Sequence, residues 1–111
     1  MNIFVIGAGQ VGATIVQALH EEHELTVFDL DESRLTALSS RYDVATVEGN
    51  GASRSVLSEA GVTNADLLIA CTSRDDVRLV AAMITKAIVP RTTTIVRTSN
   101  PEYLAVWREI A

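Results

Sequence analysis

The sequence predicts an α/β fold, an open doubly wound sheet of parallel strands with helices on both faces, and three observations lead to it. Short strand-like runs alternate with helix-like segments five times along the chain. The runs at residues 3–6 and 67–69 are apolar at consecutive positions, which suits strands covered on both faces. Strands separated by helical crossovers must pair in parallel, through right-handed connections. The natural strand order for such a sheet is 3-2-1-4-5.

Each strand and helix has recognisable boundaries in the sequence. Gly49-Asn50-Gly51 ends the third strand, Gly61 stops the short helix that follows, and Pro90 closes the long helix. Asn100-Pro101-Glu102 begins the last helix by its N-cap and first-turn chemistry. The predicted strands cover residues 2–6, 25–29, 44–48, 66–70 and 93–97, and the predicted helices cover about residues 10–21, 32–41, 54–60 and 74–88. With 111 residues, the chain fits a single domain over residues 1–111.

A glycine-rich motif lies between the first strand and the first helix. It reads Gly7-Ala8-Gly9-Gln10-Val11-Gly12, a G-x-G-x-x-G pattern. The first glycine allows a tight turn, the second lets the backbone approach a pyrophosphate, and the third permits close packing of helix on strand. The backbone N–H groups that open the helix then favour a bound phosphate. Glycines in such a turn can also serve geometry alone, so the motif needs support from other residues.

Asp29 provides that support, at the end of the second strand and 17 residues after Gly12. A carboxylate there can accept hydrogen bonds from both hydroxyls of an adenosine ribose and repels a 2′-phosphate, so NAD(H) is favoured over NADP(H) in a Rossmann-type site. The alternative is that Asp29 or Asp31 only caps the following helix, and for Asp31 we expect capping. We expect Asp29→Ala to weaken NADH binding with little change in stability, because the lost hydrogen bonds would go to the ligand.

Further candidates follow the other strands. Thr72 and Ser73 come after the fourth strand, near the expected pyrophosphate or second ribose, although Ser73-x-x-Asp76 also fits a capping box. Arg97 ends the fifth strand, where it could reach phosphate oxygens or form a surface ion pair. Arg34 would lie near the adenine or on a solvated helix face. Gly49-Asn50-Gly51 would flank the adenine or only turn the chain.

Taken together, these segments resemble the N-terminal half of an RCK (KTN, TrkA-N) domain. The resemblance covers nearly the whole chain, and the residues that carry it are Gly7 to Gly12, Val27-Phe28-Asp29-Leu30-Asp31, Gly49-Asn50-Gly51, Ala60-Gly61, Ala65-Asp66, Thr72 to Asp76, Arg97 and Asn100 to Tyr103. It implies a cytosolic regulatory subunit or channel tail that gates potassium transport in response to a nucleotide. It also implies assembly as a homo-oligomer on a membrane-embedded potassium transporter or channel.

The resemblance implies roles for individual residues. Gly7 to Val11 would contact the pyrophosphate, Asp29 the adenosine ribose, and Thr72, Ser73 and Arg97 the nucleotide. Leu30 is also expected among the cofactor-binding residues. Three departures accompany it. Relatives that sense ATP or ADP often carry arginine at the position of Gln10, TrkA-type relatives commonly carry asparagine at the position of Arg78, and the usual C-terminal half is absent. We therefore expect a domain cut from a longer protein, or a short member of the family.

Composition excludes several function classes. A net charge of −5 argues against a nucleic-acid partner, and the longest apolar stretches are too short or too interrupted for membrane insertion. The N-terminus has no export signal, so we expect a cytoplasmic protein. The resemblance implies that it lies at the inner face of the cell membrane. The single cysteine, Cys71, excludes an intramolecular disulfide. His20-Glu21-Glu22-His23 has its histidines three apart rather than four, so we expect no metal site.

The sequence favours a regulatory NAD(H)-binding domain that controls potassium transport, and not an enzyme. The alternatives are the cofactor half of an NAD-dependent oxidoreductase, an ATP- or ADP-sensing RCK domain, and a metabolite-binding module unrelated to ion transport. Tyr42, Lys86 and Tyr103 lie away from the predicted strand ends, which leaves no evident catalytic acid or base there. The apolar stripe Tyr103, Val106, Trp107 and Ile110 on the last helix would pack on the sheet or on a partner helix in a dimer.

Overall fold

Five parallel strands form one sheet in the order β3-β2-β1-β4-β5, which confirms the predicted fold class and strand order. The computed structural model describes residues 1–98 and 100–110. The strands are β1 (Asn2–Ile6), β2 (Glu24–Asp29), β3 (Ala45–Glu48), β4 (Leu67–Ala70) and β5 (Thr93–Val96). β1 lies at the centre, with Ile6 opposite Phe28 of β2 and Ala70 of β4. The strand order therefore reverses between β1 and β4, where ligands bind in open sheets of this kind.

Helices connect the strands and cover both faces of the sheet. They are α1 (Gln10–Leu19), α2 (Glu32–Ser39), α3 (Arg54–Glu59), a short 3-10 helix (Val62–Asn64), α4 (Asp75–Ile88) and α5 (Pro101–Ile110). Ile3 and Val5 of β1 pack in one apolar cluster with residues of α1 and α2. Phe4 and Ile6 point to the opposite face and pack in a second cluster with residues of α3 and α4. Successive side chains of β1 are thus buried on both faces, as the unbroken apolar runs indicated.

Several elements are shorter than the sequence predicts. α1 ends at Leu19 and α2 at Ser39, each two residues before its predicted end. β4 starts one residue later than predicted. The Asp66 amide still donates to the Asn2 carbonyl at 2.8 Å, and the Asp66 carboxylate accepts from the Asn2 amide at 2.8 Å. The 3-10 helix after Gly61 was not predicted; Gly61 precedes it with a φ of +85°, a conformation that favours glycine.

The last helix begins where the sequence predicts. The Asn100 side chain accepts a hydrogen bond from the Glu102 amide at 3.0 Å, as an N-cap should. Tyr103 is partly exposed, whereas the side chains of Val106, Trp107 and Ile110 lie outside the described residues, so the apolar stripe stays a prediction. In the described part of the chain, no helix combines the length and the apolar character that crossing a membrane requires.

Candidate functional site

A cleft of about 650 Å³ opens at the carboxyl ends of the strands. Nine of the residues expected at a nucleotide line it: Gly7, Asp29, Leu30, Arg34, Gly49, Asn50, Gly51, Thr72 and Ser73. Six further residues line it that the sequence did not single out for the site: Ile6, Phe28, Asp31, Glu32, Arg74 and Val77. The structure therefore gathers segments from four different strand ends around one cavity.

The glycine-rich loop is tightly packed at its first and last glycines. Gly7 has a φ of +116°, and a Cβ there would lie 2.8 Å from the Thr72 amide nitrogen. A Cβ on Gly12 would lie only 1.9 Å from the Gly7 carbonyl oxygen. Both positions therefore require glycine, for conformation at Gly7 and for the approach of α1 to β1 at Gly12. A Cβ on Gly9 would meet only the Arg34 guanidinium, at 3.8 Å, so the backbone there is open to a ligand.

The N-terminus of α1 follows directly and has no side-chain cap. Gly9 is the N-cap residue, and the first turn carries no acidic residue. The Ala13 amide donates to the Gly9 carbonyl at 2.9 Å, so the amides of Gln10, Val11 and Gly12 precede the helical hydrogen-bond ladder. Gln10 and Val11 are exposed. Open N–H groups at the positive end of a helix dipole suit an anion such as phosphate.

Asp29 lies at the end of β2 and holds two backbone segments. One carboxylate oxygen accepts from the Ala8 amide at 2.8 Å, and the other accepts from the Asp31 amide at 2.8 Å. The carboxylate therefore joins the glycine-rich loop to the start of α2. Our reason for expecting Asp29→Ala to leave stability almost unchanged is wrong, since both oxygens are bonded within the chain. Each oxygen retains a second lone pair that can accept a ligand hydroxyl.

Asp31 and Arg34 form the rim of the cleft on the α2 side. The Asp31 side chain caps α2, as expected, by accepting from the Ser33 amide at 2.9 Å and the Ser33 hydroxyl at 2.5 Å. These hydrogen bonds, with a smaller contribution from the Arg34 charge, lower the pKa of the Asp31 carboxyl. The Arg34 guanidinium lies 3.7 Å from the Asp31 carboxylate and extends over Gly9. Arg34 is thus both solvent-exposed and part of the cleft wall.

The loop after β3 forms the opposite part of this wall. The Gly49 amide donates to the Asp29 carbonyl at 3.0 Å, and the Asn50 side chain accepts from the Ala52 amide at 2.8 Å. A Cβ on Gly51 would lie 2.4 Å from a methyl carbon of Ile6. Gly51 therefore permits the loop to lean against the end of β1, which brings Asn50 into the cleft lining.

The loop after β4 differs from one prediction. The predicted capping box at Ser73-x-x-Asp76 is wrong, because the N-cap of α4 is Arg74 and it has no side-chain cap. The Asp76 carboxylate instead accepts from the Arg74 guanidinium, at 3.1 and 2.6 Å. This pairing, above all, lowers the pKa of the Asp76 carboxyl. Ser73 and Thr72 keep their places in the cleft, and Arg74 adds a cation beside them.

Six of the residues expected at the nucleotide, five of the glycine-rich motif and Arg97, are not among the described residues that line the cleft. Ala8, Gly9, Gln10, Val11 and Gly12 form the loop and helix start beside it. The Arg97 side chain is exposed, and its carbonyl accepts a hydrogen bond from Arg78. The Arg97 carbonyl therefore contacts a residue beside the site, and its guanidinium charge is close enough to act on Arg78.

Arg78 is the residue that sequence reasoning missed most clearly. Only 2% of its surface is exposed, and its guanidinium donates to the carbonyls of Thr72 and Arg97 and pairs with the Asp75 carboxylate. Burial, together with the neighbouring Arg97 charge, lowers its pKa. Its spacing from the buried Ala82 and Thr85, four and seven residues on, was an available signal that it lies on the inner face of α4.

Cys71 and the two histidines lie outside the cleft lining. The Cys71 thiol is 3.4 Å from the Ile6 carbonyl, and burial raises its pKa to about 11. It is therefore protonated at neutral pH. The His20 ring centroid lies 4.7 Å from that of Tyr42, with the two rings tilted, whereas His23 contacts the Met1 amino group at 3.2 Å. Within residues 1–98 and 100–110, no three histidine, cysteine or acidic side chains are grouped as metal ligands would be.

The chain is similar in sequence to proteins of the Trk potassium uptake system. The chain is 41% identical over 105 residues to the Trk system potassium uptake protein TrkA of Halomonas elongata, a match that covers 94% of this chain and 23% of that protein. It is 40% identical over 110 residues to a TrkA homolog of Methanosarcina mazei, covering 94% of this chain and 27% of the relative. The chain thus spans about a quarter of the length of these curated relatives.

Solved structures with the same fold include the TrkA-N domain of the inner membrane protein ybaL from Escherichia coli, with a TM-score of 0.88 and 22% identity over 99% of this chain and 82% of that one. The NAD(P)-binding domain of an exopolyphosphatase-related protein from Archaeoglobus fulgidus has a TM-score of 0.83 and 17% identity over 97% and 80%. A saccharopine dehydrogenase from Saccharomyces cerevisiae shares the fold with a TM-score of 0.76 and 14% identity over 95% and 23%. The TrkA-N domain model matches residues 3–111, which confirms the resemblance: the chain belongs to the TrkA-N domain family.

Proposed function

We propose that the cleft binds NAD(H), and that the chain regulates a potassium transporter or channel and does not itself catalyse a reaction. The observation that carries the proposal is the Asp29 carboxylate, which lines the cleft and accepts a hydrogen bond from the Ala8 amide of the glycine-rich loop. A ribose-binding carboxylate and a phosphate-binding loop are thereby held next to each other, as a dinucleotide requires.

The residues present fit an NAD(H) molecule. The amides of Gln10, Val11 and Gly12 would hold the pyrophosphate at the open end of α1, and Gly9 leaves the necessary space. Asp29 would accept the adenosine ribose hydroxyls. The adenine side of the cleft would be formed by Leu30, Arg34, Gly49, Asn50 and Gly51. The second half of the dinucleotide would extend towards Thr72 and Ser73, whose hydroxyls can donate to it.

The charges in the cleft favour NAD(H) over NADP(H). Asp29, Asp31 and Glu32 line its β2 side together with one cation, Arg34, which pairs with Asp31. A 2′-phosphate on the adenosine ribose would be repelled by this group of carboxylates. At the start of α1, Gln10 supplies no positive charge for the terminal phosphate of ATP. These features support a dinucleotide without a 2′-phosphate, in preference to NADPH or ATP.

The side chains in the cleft also support a regulatory role. Among the described residues that line it, none is a histidine, lysine, tyrosine or cysteine, and its three carboxylates, of Asp29, Asp31 and Glu32, lie on the side of the adenosine ribose. Relatives at about 40% identity bear the name of the Trk potassium uptake system. NAD(H) would bias the arrangement of a cytoplasmic homo-oligomer docked on a membrane-embedded potassium transporter or channel subunit, provided that it binds the arrangements with different affinity. The alternative function is the cofactor half of an oxidoreductase, and its support is the fold that the chain shares with a saccharopine dehydrogenase.

Calorimetric titration tests the proposal. The purified chain is titrated with NADH, NAD⁺, NADPH, ATP and ADP, and the Asp29→Ala variant is compared with Asp43→Ala, which removes an exposed carboxylate at the opposite edge of the sheet. Binding of NADH or NAD⁺ at least tenfold tighter than NADPH and ATP, lost in Asp29→Ala and kept in Asp43→Ala, is the expected result. Preferential ATP or ADP binding would identify an adenine-nucleotide sensor instead. Substrate-dependent oxidation of NADH by the chain would contradict the non-catalytic role.

A further inference from the structure

Arg78 occupies a position between the cleft and the last helix. It is buried in the second turn of α4, at the carboxyl ends of β4 and β5. Its guanidinium donates to two main-chain carbonyls, of Thr72 after β4 and of Arg97 after β5, and it pairs with Asp75 in the first turn of α4. A planar guanidinium with several donors in a fixed arrangement can hold three partners in one geometry, which a shorter side chain cannot do.

One partner of Arg78 belongs to the cleft. Thr72 lines the cavity, and its backbone packs directly on Gly7, where a Cβ would lie 2.8 Å from the Thr72 nitrogen. A ligand that orders the glycine-rich loop must therefore also fix the Thr72 backbone. Because interiors are close-packed, such a constraint passes to the groups bonded to it.

The other main-chain partner leads to α5. Arg97 is followed by Thr98, whose hydroxyl accepts a hydrogen bond from the Asn100 amide at 3.2 Å. The Asn100 side chain in turn caps α5 through the Glu102 amide at 3.0 Å. A continuous series of contacts thus runs from Gly7 through Thr72, Arg78, Arg97 and Asn100 to the start of α5.

From these contacts we infer that Arg78 is a positioning residue that couples nucleotide binding in the cleft to the position of α5. The inference rests on the proposed function, since it needs a ligand in the cleft, and it adds the route by which that ligand acts on another part of the chain. Coupling requires two arrangements that the ligand binds differently, so a ligand-dependent change at α5 is its measurable consequence.

Hydrogen exchange of backbone amides measures this change. The full 111-residue chain is compared with and without saturating NADH, and exchange is followed both at the glycine-rich loop and in α5. The expected result for the unaltered chain is slower exchange in both regions, with the α5 amides slowed about fivefold or more, the lower limit of typical coupling between sites.

The variants separate coupling from stability. Arg78→Met removes all three contacts. Arg91→Met is the control for loss of an exposed arginine with the same kinds of partner, because Arg91 bonds the Thr63 carbonyl at 3.0 Å and lies 3.7 Å from the Asp66 carboxylate. We expect Arg78→Met to keep NADH-dependent protection of the glycine-rich loop but to lose it in α5, whereas Arg91→Met keeps both. Arg78→Lys keeps the positive charge but makes fewer hydrogen bonds, so the NADH-dependent protection of α5 should be reduced. This variant also tests the inference if Arg78→Met does not fold.

Each other outcome is decisive. An NADH response of α5 that is equal in the unaltered chain and in a folded Arg78 variant would show that Arg78 only stabilises the fold. NADH binding without any α5 response in the unaltered chain would overturn the coupling and leave the proposed function intact. No NADH binding by the unaltered chain would overturn the proposed function, and the coupling with it.

Discussion

Removal of the Asp29 carboxylate should weaken NADH binding and also destabilise the fold. The ribose would lose one or two hydrogen bonds to a charged acceptor, each of about 1.5–3 kcal/mol, so a total of about 2–4 kcal/mol is reasonable. Since about 1.4 kcal/mol corresponds to a tenfold change in affinity, the dissociation constant for NADH should rise roughly 30- to 700-fold in Asp29→Ala. Preference for NADH over NADPH should narrow as well, because the repulsion of the 2′-phosphate is removed.

The effect on stability has a separate origin. Asp29 accepts from the amides of Ala8 and Asp31 at 2.8 Å each, and the Asp29→Ala variant leaves those donors without this partner. The free energy of unfolding should fall by about 1–3 kcal/mol. For a chain of 111 residues, each kcal/mol lowers the melting temperature by roughly 4 °C.

Calorimetric titration with NADH and thermal unfolding without ligand separate the two effects. The titration is carried out at a temperature where the Asp29→Ala variant is folded, and Asp43→Ala serves as the control in both measurements. An NADH affinity within threefold of the unaltered chain would refute the assignment of Asp29 to the ribose. An unchanged melting temperature would refute the structural role of its two backbone hydrogen bonds.

Three other predictions follow from the site. Gly12→Ala places a Cβ 1.9 Å from the Gly7 carbonyl oxygen and should unfold the chain or lower its melting temperature sharply. Gly9→Ala, whose Cβ meets only a guanidinium at 3.8 Å, should fold normally and lose NADH affinity. Thermal unfolding and titration with NADH check both variants, and equal stability of the two would contradict the close packing at Gly12. The pKa of Asp31 is lowered in the folded chain, so its contribution to stability should be complete above its ordinary value of 3.8 and disappear as the pH falls below it. Unfolding curves between pH 6 and pH 2 should show this loss reduced in Asp31→Asn. With its pKa raised to about 11, the Cys71 thiol should react slowly with iodoacetamide at pH 7 and faster as the pH approaches 11, and rapid alkylation of the folded chain at pH 7 would contradict its burial.

The fold follows closely from the sequence because its determinants are local and repeated. Unbroken apolar runs such as residues 3–6 require helices on both faces, and helical crossovers require parallel pairing. The glycine-rich motif and Asp29 could be placed at one edge because parallel strands end on the same side of the sheet. The residues that follow the strands in the sequence therefore predict most of the lining of the cleft.

The remaining features depend on contacts between segments that are distant in the sequence. Ser73 has the spacing of a capping box, but Arg74 draws the Asp76 carboxylate to itself. The bonds of Asp29 to two backbone amides depend on the approach of the glycine-rich loop to β2. Arg78 is charged, so its type predicts a surface residue, whereas its position on the inner face of α4 and its carbonyl partners make burial possible.

We propose that NAD(H) binds across the glycine-rich loop with its adenosine ribose on Asp29. A crystal structure of the chain with NADH tests this most directly. We expect ribose hydroxyl oxygens about 2.5–2.7 Å from the Asp29 carboxylate and pyrophosphate oxygens on the amides of Gln10 and Val11. A ligand bound elsewhere on the sheet, or one whose ribose lies away from Asp29, would contradict it.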